Sequence, residues 1–71
     1  MKTLGERIKE IRIEKGLSQN ALGRIIGVSK SSVCQWEKGK TKYMTGSNMI
    51  NTAQALGVNP RWLESGMGDT S

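Results

Sequence analysis

Residues 19–38 hold two short apolar stretches separated by a glycine, and this pattern constrains the fold more than anything else in the chain. Ala21, Leu22, Ile25 and Ile26 follow a helical period after Ser18, whose hydroxyl suits an N-cap, and the stretch stops at Gly27. Ser29 suits the cap of a second stretch, in which Val33 and Trp36 share one face while Lys30, Ser31 and Gln35 fall elsewhere. Two helices crossing at roughly 90 to 120° through a short turn need a small residue where their axes approach. They also need a residue that accepts a left-handed conformation at the turn. Gly23 and Gly27 meet these two needs, and Leu22, Ile26, Val28, Val33 and Trp36 are placed to fill the space between the helices.

The remaining segments read as helices that can cover this pair. Thr3 and Glu6 have capping-box spacing, Leu4, Ile8 and Ile11 follow as one apolar stripe, and Gly16 supplies a stop. Ile13 lies on the opposite side of the same wheel, which predicts that the first helix packs on two sides, the second against the C-terminal segment. Residues 39–46 lack a helical period and read as an exposed basic loop. A fourth helix is predicted to bury Met49, Ile50, Ala53 and Leu56 and to stop at Gly57; Asn59 and Pro60 then cap and open a fifth turn carrying Trp62 and Leu63. Fraying is expected from Ser65 to Ser71. The fold class is therefore all-α, a compact bundle of five short helices, with one domain over residues 1–66 and a frayed tail or start of a linker over 67–71.

A chain of 71 residues has little surface to bury, so it needs disulfides, a metal, self-association or well-packed helices for stability. One cysteine excludes an intrachain disulfide, and the lack of histidine removes the usual zinc ligand sets, so no metal or other cofactor is expected. Catalysis is disfavoured on the same ground, because Cys34 and the serines have no histidine base. Glu6, Glu10 and Glu14 recur every four residues and read as a solvated helix face, not a catalytic set. Gly39-Lys40-Thr41 resembles the end of a phosphate-binding loop, but that motif needs a glycine where Cys34 stands. Cys34 reads as a small side chain at the edge of the core, and Trp36 and Trp62 read as core anchors.

Eleven Lys and Arg against six Asp and Glu, a net charge of +5, favour a polyanionic partner. A membrane surface is the weaker choice, since the chain has no long apolar run and no basic amphipathic helix with an aromatic face. The N-terminal residues show no signal peptide, which makes the cytoplasm the expected location, and no small-molecule substrate is expected.

Residues 19–38, together with Glu37-Lys38-Gly39-Lys40-Thr41-Lys42, Ala55-Leu56-Gly57-Val58 and Trp62-Leu63, resemble the operator-binding domains of the lambdoid phage repressor and Cro family. The resemblance covers nearly the whole chain, although the loop near Tyr43 to Ser47 is slightly longer than in the shortest relatives. It implies a five-helix bundle whose third helix enters the major groove of double-stranded operator DNA. On that reading Lys30, Ser31, Ser32 and Gln35 face base edges, while Gln19, Lys38, Lys40 and Lys42 hold phosphates. The resemblance also implies a homodimer on a palindrome, with contacts from Tyr43, Met44, Pro60, Arg61 and Leu63, and an internal pair between Arg12 and Glu37. A protein-binding or antitoxin-type module with the same fold is the alternative.

Overall fold

The Thr3 hydroxyl accepts the Glu6 amide at 3.1 Å and the Glu6 carboxylate accepts the Thr3 amide at 3.0 Å in the computed structural model. This reciprocal cap starts α1 (Leu4–Glu14) and satisfies two amides that a helix end leaves without partners. The Thr3 amide holds the Glu6 carboxyl below its ordinary range. The contribution of the cap is thus present above the unfolded glutamate value and is lost as pH falls through the lowered folded value. Residues 2–40 and 44–70 are described by the structure, and all regular elements among them are helical.

Four further helices follow, each opened by the short polar side chain before it. Ser18 accepts the Ala21 amide ahead of α2 (Gln19–Ile26), and Ser29 accepts the Ser32 amide ahead of α3 (Lys30–Glu37). Thr45 opens α4 (Gly46–Leu56) and Asn59 opens α5 (Pro60–Ser65), with Pro60 in the first turn. The predicted loop therefore ends earlier than expected: Thr45 is a cap and Gly46 is already helical. Its central residues, Thr41, Lys42 and Tyr43, lie outside the described residues.

The core is built where α1 packs on α3 and α5, α2 on α3 and α4, and α4 on α5. Ile8, Leu22, Val33, Ala53, Leu56 and Leu63 are wholly shielded from solvent, with Ile11, Ile26, Trp36 and Met49 nearly so. Full burial of a valine, leucine, isoleucine or methionine side chain is worth roughly 1.5 to 3 kcal/mol. Two expectations about this core are corrected. Ile13 is 58% exposed and Ile50 is 50% exposed. The buried stripe of α4 is Met49, Thr52, Ala53 and Leu56, spaced i, i+3, i+4 and i+7, and Ile50 stands one residue, about 100°, off its leading edge.

The second packing side of α1 is made by an arginine that the apolar pattern does not mark. Arg7 is buried, and its guanidinium donates to the carbonyls of Leu63 at 2.8 Å, Glu64 at 2.6 Å and Lys2 at 2.6 Å. Two of these belong to the last turn of α5, whose carbonyls lack helical partners and carry the negative end of the helix dipole. Past α5, where fraying is predicted, the chain keeps partners. The Met67 amide donates to the Ser65 hydroxyl at 3.2 Å, and the Asn59 amide donates to the Thr70 carbonyl at 2.6 Å.

Thr52 occupies a core position with its hydroxyl fully buried and without a hydrogen-bond partner. A buried polar group left unpaired costs about 1 to 3 kcal/mol, and valine has nearly the same shape without that group. Thr52→Val is expected to stabilise the domain by about 1 kcal/mol, which thermal melting reads as a rise of about 4 to 8 °C. An unchanged or lower melting temperature would mean that the hydroxyl is satisfied in solution.

Candidate nucleic-acid interface

The crossing of α2 and α3 is set by two glycines that do different work. Gly27 ends α2 with φ 82° and ψ 30°, the left-handed conformation expected of it. Gly23 is needed for space: a Cβ there would lie 2.6 Å from the Val28 carbonyl oxygen. With this close approach, Leu22 and Ile26 meet Val33 and Trp36 in the core and Val28 packs against them, as their spacing predicts.

Burying Val33 and Trp36 turns the opposite face of α3 outward. Lys30, Ser31 and Gln35 are exposed there. Together with Cys34, Lys38 and Lys40 they line an open groove of about 370 Å³. Three of the six lining residues are lysines and none is acidic. Ser32 does not line the groove; its hydroxyl lies 3.2 Å from that of Ser29, at the helix cap.

The one acidic residue of α3 is withdrawn from this face. Glu37 accepts two hydrogen bonds from Arg12, Nε to Oε2 at 2.7 Å and Nη2 to Oε1 at 3.0 Å. The side chains are only 11% (Arg12) and 3% (Glu37) exposed, so the internal pair implied by the resemblance is present. Hydrogen bonding to Glu37 raises the Arg12 pKa above its ordinary value. Gln19, the expected bridge to phosphate, donates its amide to the same Glu37 oxygen at 3.1 Å, so its side chain is tied to the end of α3.

Cys34 is the groove residue that sequence reasoning placed elsewhere. Its half-buried side chain fits the edge of the core that its residue type predicts, but it also faces the groove. The signal was available, since residues 30, 31, 34, 35 and 38 form a single helical stripe. Lys42 and Tyr43 fall outside the described residues.

The expected partner contacts divide. Met44, Pro60 and Arg61 line one larger groove of about 930 Å³ between α4, α5 and the tail. Leu63 is corrected: it is wholly buried against the core from the inner side of α5, so its side chain is closed to a partner. Trp62, beside it in the same turn, is half-buried against the same core, so this part of α5 faces inward.

Comparison with known proteins agrees with this geometry. A family model described as a helix-turn-helix domain matches residues 5–68. Repressor protein C2 of Salmonella phage P22 is 36% identical over 63 residues, covering 89% of this chain and 29% of that protein. The transcriptional regulator DicA of Escherichia coli is 34% identical over 67 residues, covering 94% of this chain and 49% of that protein. The chain thus spans less than half the length of these relatives. Among solved structures, the P22 c2 repressor in complex with a synthetic operator superposes with a TM-score of 0.87 at 34% identity, covering 94% of this chain and 100% of that one.

Proposed function

We propose that this chain, which belongs to the helix-turn-helix domain family, binds a palindromic DNA operator as a dimer and regulates transcription, most simply as a phage-type repressor. The observation that carries the reading is the outer face of α3, a lysine-lined groove free of lining carboxylates on the helix opposite the core. Lys30 is suited to guanine O6 and N7, Gln35 to adenine N6 and N7, and Ser31 to either base type. Ser32 assists at the cap. Gln19, Lys38, Lys40 and Lys42 hold phosphates and fix register, which carries no sequence information by itself. Met44, Pro60 and Arg61, with Tyr43, provide the surface between two copies on adjacent half-sites. The work is binding and not catalysis, and it is done in the cytoplasm, where the DNA is.

Among the described residues no helix is long and apolar enough to cross a membrane. Support for a nucleic-acid partner comes from the P22 c2 repressor, whose matching domain was solved on an operator.

Selection from a random duplex pool identifies the preferred site, and two variants then separate reading from positioning. Gln35→Ala is expected to keep the melting temperature and to weaken the preferred site by roughly 1 to 3 kcal/mol, with discrimination relaxed at one base pair. Lys40→Ala is expected to weaken preferred and random duplexes equally and to lower the log-log salt slope by about 0.9. Affinity that is independent of salt, or a uniform loss in Gln35→Ala, would overturn this assignment.

A further inference from the structure

The groove on α3 has a rim and a floor of different chemistry. Lys30, Ser31, Gln35, Lys38 and Lys40 supply ammonium, hydroxyl and amide groups, whereas the half-buried Cys34 supplies a small, polarizable and weakly hydrogen-bonding surface. Lys30 and Lys38 stand one turn before and one turn after Cys34, and Ser31 and Gln35 flank it on the same stripe.

A ligand edge that fits must offer hydrogen-bonding atoms to the rim and an apolar projection to the floor. In the major groove the C5-methyl of thymine is the one apolar group among the base edges, and it projects beside acceptor and donor atoms. Guanine and unmethylated cytosine offer nothing for a thiol to shield from water. From this, and resting on the DNA-binding reading above, we infer that Cys34 is a specificity-determining residue that packs on the C5-methyl of one thymine in each half-site. The neighbouring Gln35 is the side chain suited to adenine, so the two residues together favour an A·T pair over this part of α3.

The physical consequence is a discrimination that no hydrogen bond supplies. Burying one methyl-sized group is worth about a fourfold change in affinity. The same surface accepts 5-methylcytosine better than cytosine, because that base carries the same methyl at C5.

The test uses the 71-residue chain and its selected duplex, with each thymine replaced in turn by deoxyuridine. One replacement per half-site is expected to weaken binding about fourfold, and Cys34→Ser is expected to reduce that penalty to less than about 1.5-fold while binding the deoxyuridine duplex as the parent does. Cys34→Ala serves beside it, so that a folding defect in one variant does not decide the result. The single thiol gives a second readout: the selected duplex is expected to slow alkylation by N-ethylmaleimide at least about tenfold, a contact effect that a purely packing role would not produce. A tight, selective duplex with no thymine whose methyl effect depends on residue 34, or with no protection of the thiol, overturns this inference alone. If no duplex is preferred over random sequence, the DNA-binding reading fails and this inference fails with it.

Discussion

Gly5→Ala is expected to destabilise the domain strongly, although helix propensity alone predicts the opposite. Gly5 sits in the first turn of α1, and in a solvent-exposed helix alanine is preferred over glycine by roughly 0.8 to 1 kcal/mol. Here the glycine is buried where α1 crosses the end of α3. A Cβ would stand 2.0 Å from the Trp36 carbonyl oxygen and 3.0 Å from the Glu37 Cα. Both are backbone atoms, so no side-chain rotation relieves the overlap. The first turn of α1 would have to move away from α3 by more than about 1 Å, against interiors packed as densely as crystals. That motion pulls Ile8 and Ile11 off their contacts and strains the Arg7 hydrogen bonds to α5.

Overpacking of this kind costs typically about 1 to 3 kcal/mol, and more when the backbone is the obstacle. A core of this size supplies only about 3 to 5 kcal/mol in total. Thermal melting should show a loss of more than about 12 °C or no cooperative transition. Gly46→Ala is the control, because a Cβ there meets nothing within 4 Å, and it should melt within a few degrees of the parent. If Gly5→Ala melts like Gly46→Ala, the crossing of α1 and α3 is looser than the structure has it.

Gly5 also marks the boundary of what is legible in the sequence. Four of the five helix starts are readable, because caps are local: Thr3, Ser18, Ser29 and Asn59 act on amides two or three residues away, whereas the Thr45 cap of α4 is hidden in a segment that reads as loop. Gly27 was readable for the same reason, since its role depends on its own backbone. A glycine required by the approach of a segment thirty residues distant leaves only an indirect trace, a poor helix former inside a helical pattern. Arg7 is similar. Nothing local tells a buried arginine from a solvated one, and its partners Leu63 and Glu64 lie at the other end of the chain.

Hydrophobicity and burial part company at three positions of α1 and α4. Ile13 and Ile50 are exposed while Thr52 is buried, because position on the stripe, not residue type, decides which side faces the core. At the candidate site the outward face of α3 followed from the inward places of Val33 and Trp36. The same helical stripe includes Cys34, but its residue type points to the core and hides its place at the groove floor.

Glu37→Ala is expected to cost about 3 to 5 kcal/mol, because it leaves a largely shielded Arg12 without its counter-ion. The carboxylate accepts from Arg12 Nε and Nη2 and from the Gln19 amide, while Arg12 Nη1 donates to the Leu17 carbonyl at 2.8 Å. These contacts join the end of α1, the start of α2 and the end of α3, so the pair fixes how the two helices of the motif are held. Losing the acid strands a cation at that junction and frees the Gln19 side chain. Replacing both partners separates the worth of the pair from the harm of breaking it. Arg12→Met with Glu37→Leu buries two apolar side chains of similar size and is expected to unfold in denaturant within about 1.5 kcal/mol of the parent, since apolar replacement of a shielded pair is often neutral or stabilising. The double variant should also bind random duplex with a parental salt slope, as neither residue lines the groove on α3. A double variant as unstable as Glu37→Ala would mean that the fork geometry itself, and not the avoidance of an unpaired charge, holds the three helix ends together.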